Sequence, residues 1–123
     1  PAFSGVVFDI MESFKPGYVS HAVHWNGCGE DLQSKGKQSF PLEATPDGFH
    51  RFGLRWNKTG YTFFVDGKES WHVDGPVSET EQIILVSTEC MGYRTEEEKP
   101  CTEVQGSAPD EFVVDYVRVF DEI

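Results

Sequence analysis

Asp9 and Glu12 are the side chains in this sequence best suited to chemistry. They close a run of β-branched and aromatic residues, Gly5-Val6-Val7-Phe8-Asp9-Ile10-Met11-Glu12-Ser13, which predicts a strand. On a regular strand the two would face opposite ways, because side chains alternate with period two. One extra residue at Ile10-Met11, a β-bulge, would turn both onto one face. Two carboxylates on one strand of a sheet suit acid/base chemistry on a sugar.

Further polar candidates stand where other strands are expected. Val19 to Trp25 reads as a second strand, with His21, Val23 and Trp25 on one face and Ser20, Ala22 and His24 on the other. Only one of His24 and Trp25 can then face a site on the sheet. Glu81 to Glu89 reads as a buried strand centred on Ile83-Ile84-Leu85-Val86. Glu89, at its end, would stand on a cleft rim and touch a ligand. Asp115 interrupts an apolar row in the last expected strand, Asp110 to Asp121, and a buried carboxylate needs a partner.

The elements that must position these groups are all strands. Phe3 to Glu12 is the first, and Pro16-Gly17 turns the chain after it. Gly27 to Lys37 reads as a loop. Ser39 to Ala44 follows as a short strand that Pro41 assigns to an edge. Phe49 to Asn57 alternates His50, Phe52, Leu54 and Trp56 against Arg51, Gly53 and Arg55, the pattern of an antiparallel sheet with one wet side. Tyr61 to Val65 and Lys68 to Val73 flank Asp66-Gly67, a strong hairpin signal. Trp56 and Trp71 read as core or sheet-covering rings rather than functional ones. Cys90 to Pro109 is a long polar connection. No helical periodicity is sustained. Many short strands between Gly, Pro and Asp turns predict an all-β fold, an antiparallel β-sandwich or jelly roll. The 123 residues suit one domain.

Several segments together resemble one family. Val7-Phe8-Asp9-Ile10-Met11-Glu12 resembles the E-I-D-I-M-E signature of the family-16 glycoside hydrolases, the lichenases and laminarinases. His24-Trp25-Asn26-Gly27, Gly48 to Trp56, Tyr61 to Lys68 and Val114 to Phe120 look like that family in the same order. The resemblance implies a concanavalin-like jelly roll with a sugar cleft across its concave sheet. It implies retaining hydrolysis of a β-glucan or related polysaccharide. Asp9 then matches the assisting Asp and Glu12 the general acid/base, while His24, Trp25 and Asn26 would line sugar subsites. The nucleophile position holds Val7, and an isopropyl group cannot attack an anomeric carbon. A non-catalytic, lectin-like relative is therefore the alternative. The Asp matching Asp115 helps hold a structural calcium in the family, and oxygen ligands suit that ion; no organic cofactor is expected. The resemblance covers only the family's C-terminal half. The expected partner is a polysaccharide or oligosaccharide, and the sandwich is expected to be completed by a complementary chain, by a homodimer or by residues preceding Pro1.

Composition narrows the partners further. The formal net charge is −11, which argues against nucleic acid or an anionic membrane surface. No apolar run reaches membrane-spanning length. Aromatic residues make up 14% of the chain, enough to fill a core and still offer rings for stacking on sugars. Cys28, Cys90 and Cys101 are the three cysteines. One disulfide with a leftover thiol fits a secreted, extracellular protein, with Cys90–Cys101 the first choice of pair. Cys28 with either, or three free thiols, are the alternatives. Asn57-Lys58-Thr59 matches a glycosylation sequon.

Overall fold

The computed structural model describes residues 5–27, 29–88 and 111–122. The chain divides into two compact units, Pro1–Gln82 and Ile83–Ile123, and among the described residues all the strands lie in the first. Two antiparallel three-stranded sheets make up that unit. The first contains β1 (Val7–Lys15), β2 (Tyr18–Trp25) and β3 (Gln33–Pro41) in sequential order. The second contains β4 (Phe52–Asn57), β5 (Gly60–Val65) and β6 (Lys68–Val73), again in order. The expected all-β antiparallel sandwich is the architecture found.

Period-two alternation explains the layering. Val6, just before β1, and Val23 of β2 meet Tyr61, Phe63 and Val73 of the second sheet, all buried. Phe8, Trp25, Leu54 and Trp71 pack around this cluster. Phe8 lies 5.0 Å from the Tyr61 ring and 5.3 Å from that of Trp56. Phe63 lies 5.1 Å from Trp71. The Phe8 pairs bridge the two sheets and add to the burial that drives them together, while Phe63 and Trp71 are cross-strand neighbours within the second. Tyr61 is fully buried, and its hydroxyl accepts the Ser78 N–H at 2.6 Å. Burial pushes the Tyr61 hydroxyl pKa up, against the pull of that hydrogen bond.

The β5–β6 hairpin closes as its sequence predicts. Asp66 and Gly67 both have positive φ, 50° and 81°, the backbone of a type I′ turn. The Asp66 carboxylate ties the turn to β4's approach, accepting from the Arg51 N–H at 2.9 Å and facing His50 Nδ1 at 2.8 Å.

Three expectations from the sequence are corrected. Residues 33–37, read as loop, form the first half of β3, pairing Gln33 with Trp25 and Lys37 with His21. Their polar side chains hide the strand, because β3 is an edge strand with little apolar surface to bury. Gly36 is required where β3 crosses β2: a Cβ there would stand 2.7 Å from the His21 carbonyl oxygen. Residues 83–88 and 111–122 carry no strand, and their apolar side chains are exposed, Ile83 by 88% and Phe120 by 82%. An apolar run of β-branched and aromatic residues favours a strand, but a strand exists only when a neighbour completes its ladder. No such pairing to these segments occurs among the described residues. Asp115, expected to be buried, is exposed.

Candidate functional site

The candidate site begins with an irregularity in β1. Asp9 pairs with Ala22 and Glu12 with Ser20. Three residues on β1 therefore span two on β2, which defines a bulge at Ile10-Met11. Residues directly opposite one another share a face, so Asp9 and Glu12 point the same way, together with Ala22 and Ser20. Val7 pairs with His24 and belongs to that face as well. The opposite face, with Val6, Phe8 and Val23, is the one buried against the second sheet.

His24 reaches across from β2 to Asp9. Its Nε2 lies 2.9 Å from Asp9 Oδ2, and its Nδ1 lies 2.6 Å from Ser34 Oγ on β3. A carboxylate only accepts, so the neutral ring carries its proton on Nε2 and Nδ1 accepts from the Ser34 hydroxyl. Three adjacent strands thus contribute one hydrogen-bonded row, Asp9–His24–Ser34. The Asp9 and His24 side chains are about one-third exposed, so the row is reachable from solvent. Glu12 is half-buried on the same face. Val7, at 55% exposed, fills the position next to Asp9 where a third polar group would complete the set.

Other candidates fall elsewhere. Trp25 packs on the core side, with Lys35 Nζ 6.0 Å from its ring centre. The alternation of β2 thus turns His24 towards the carboxylates and Trp25 away. Asn26 is exposed in the turn after β2, with φ 66°. Glu89 and all three cysteines lie outside the described residues. Asp115 belongs to the second unit, and among the described residues no group of three or more His, Cys, Asp or Glu side chains gathers as a metal site. Among the described residues no helix is long and apolar enough to cross a membrane.

Sequence reasoning missed Ser34, which it assigned to a loop. Only the register of an edge strand places that hydroxyl beside His24. It also gave His21 no role beyond its face. His21 is fully buried, with Nδ1 2.6 Å from the Ile10 carbonyl oxygen and Nε2 2.9 Å from Ser70 Oγ on β6. Burial holds its pKa below the ordinary histidine value, outweighing the Ile10 hydrogen bond that pulls it up, and the nearby Lys37 charge lowers it further.

The fold and this face together define a class: an antiparallel β-sandwich that presents paired carboxylates and an imidazole on the outer side of one sheet. The model of the glycosyl hydrolases family 16 matches residues 9–85, and the chain belongs to that family. No curated protein and no solved structure matches it.

Proposed function

We propose that the face carrying Asp9, Glu12 and His24 binds a β-linked glucan or a related polysaccharide, with Glu12 as the general acid/base of glycosidic cleavage. The observation that carries this reading is the Ile10-Met11 bulge, which turns Asp9 and Glu12 onto one face beside His24. Glu12 would give its proton to the leaving oxygen and then take one from the incoming water. Asp9, held by His24, would tune the charge around that exchange. Membership in the family supports a sugar as the ligand.

One observation favours a second reading, binding without turnover. Retention needs a nucleophilic carboxylate roughly 5–5.5 Å from the acid/base, and the position facing His24 holds the exposed Val7. Asp9 is a poor substitute, since its shorter side chain starts two residues along. The experiment is affinity electrophoresis against laminarin, lichenan and other β-glucans, paired with a reducing-sugar assay, on wild type and Glu12→Gln. The expected outcome is retained binding and loss of any cleavage in the variant. Unchanged cleavage would remove Glu12 from its role, and absence of binding to every glucan by the wild type would overturn the sugar reading itself.

A further inference from the structure

Three irregularities in three different strands converge on one buried imidazole. The first is the β1 bulge, whose Ile10 carbonyl faces His21 Nδ1 at 2.6 Å. The second lies in β6, where Phe64 pairs with Glu69 but Phe63 pairs with Trp71. Ser70 is the extra residue, and its hydroxyl meets His21 Nε2 at 2.9 Å. The third lies in β3, where the register shifts between the partners of Val19 and His21. There Lys37, directly opposite His21, sends its ammonium to the Ser70 carbonyl oxygen at 2.9 Å. The ring itself packs against Phe63, centroid to centroid 4.8 Å, and Phe40, 5.0 Å.

We propose that His21 is the positioning residue of the candidate site: by joining the Ile10 carbonyl to Ser70, it holds the β1 bulge that turns Glu12 onto the face of Asp9. A bulge leaves a residue out of the regular ladder, and a buried carbonyl without a donor costs free energy. A carbonyl only accepts, so Nδ1 carries the proton and donates to Ile10. Nε2 then accepts from the Ser70 hydroxyl, and both ring nitrogens of the neutral form are used. Without that donor the favoured pairing is the regular one. From Asp9 opposite Ala22, a regular ladder would set Ile10 opposite His21 and Met11 opposite Ser20. Glu12 would then turn to the core side, and its carboxylate would leave the site. Position 21 therefore sets the direction of Glu12 without touching a ligand.

This inference deepens the reading of the Asp9–Glu12 face as a sugar site and rests on it for its functional consequence. Its structural half can be tested without any ligand. Three variants of the full chain would be compared with wild type: His21→Asn, His21→Phe and Val73→Ala. Asparagine can place its amide N–H near the Nδ1 position. Phenylalanine fills the pocket but cannot donate. Val73→Ala damages the core away from His21. The first readout is the cross-strand proton contact in NMR spectra: Glu12 to Ser20 for the observed register, Met11 to Ser20 for the regular one.

The expected result is Glu12–Ser20 contact in wild type, His21→Asn and Val73→Ala, and its loss in His21→Phe. Laminarin binding should follow the same order, weakening about tenfold in His21→Phe, as loss of an ion-assisted sugar hydrogen bond predicts. A folded His21→Phe that keeps the Glu12–Ser20 contact overturns the proposal. So does a Val73→Ala variant that loses binding as fully as His21→Phe at equal stability, because the imidazole would then be one more core residue. Should His21→Phe not fold, Ser70→Ala provides the test, since it frees the ring from β6 without emptying the pocket. Partial weakening of the Glu12–Ser20 contact is expected, and an unchanged contact with unchanged binding counts against the bridge. If wild type binds no glucan while the register shifts as described, the sugar reading fails and the positioning role stands.

Discussion

Installing a carboxylate at position 7 tests whether the rest of a retaining site is already assembled. Val7, Asp9 and Glu12 share one face, and their partners His24, Ala22 and Ser20 fall on alternate positions of β2. From Val7 to Glu12 is thus four ladder steps, about 13 Å at roughly 3.3 Å per step. A glutamate carboxyl carbon lies about 4 Å from its own Cα with ordinary bond lengths. Two glutamates leaning together across Asp9 close part of that gap, and the bend that the bulge puts into β1 closes more of it, towards the roughly 5–5.5 Å separation of retaining enzymes. The change costs little structurally, because Val7 is 55% exposed. Loss of a β-branched residue from a strand amounts to about 1 kcal/mol or less. Val7→Glu is expected to fold, to bind β-glucan and to release reducing sugar about 10³-fold faster than the parent, equivalent to about 4 kcal/mol of barrier. Proton NMR of the first product should show the β anomer. Val7→Glu/Glu12→Gln should be inert. A folded Val7→Glu protein that binds glucan yet stays inert refutes the geometric reasoning, since the carboxylate would be present and the site still incomplete.

The remaining predictions concern stability. Phe63 is fully buried between His21 and Trp71. Phe63→Ala should therefore cost about 3–5 kcal/mol, read as a lowered urea midpoint; a loss below about 1 kcal/mol would mean that the two sheets do not depend on this contact. Stability should also fall with acid. Because burial lowers the His21 pKa, the unfolded chain binds a proton before the native one does. The contribution of His21 is whole above the ordinary value near 6.5 and is lost as pH drops from there through the lowered folded value. Urea titrations of wild type and His21→Asn between pH 8 and pH 5 should differ in slope over that window, and parallel curves would deny the linkage.

Asp9, Glu12 and the bulge between them could be read from the sequence because the conflict is local. Two polar groups spaced three apart cannot share a strand face unless one residue is extra. The β5–β6 hairpin could be read for the same kind of reason, since Asp66-Gly67 fits the left-handed backbone that a type I′ turn needs. The core strands β4 and β5 declared themselves by alternation, and Tyr61 and Phe63 are indeed buried. In each case neighbours within a few residues state the preference, and burial of one face follows from it.

Where the signal depended on a distant strand, sequence reading went astray. The polar residues of β3 carry no apolar period, so only pairing with β2 makes Gln33–Pro41 a strand and brings Ser34 to His24. Residues 83–88 and 111–122 carry the opposite lesson: their apolar, strand-forming content is strong, yet no partner ladder accepts them among the described residues. Which of His24 and Trp25 faces the carboxylates was left open by alternation alone and was decided by the register with β1. The β1, β2, β4, β5 and β6 segments, the turns and the residue types available for chemistry were legible along the chain, because those are set by backbone sterics and side-chain character. That His21 joins the bulge of β1 to that of β6 emerges only when the two sheets pack. That bond crosses from one sheet to the other, and no period along a single chain encodes the distance between two sheets.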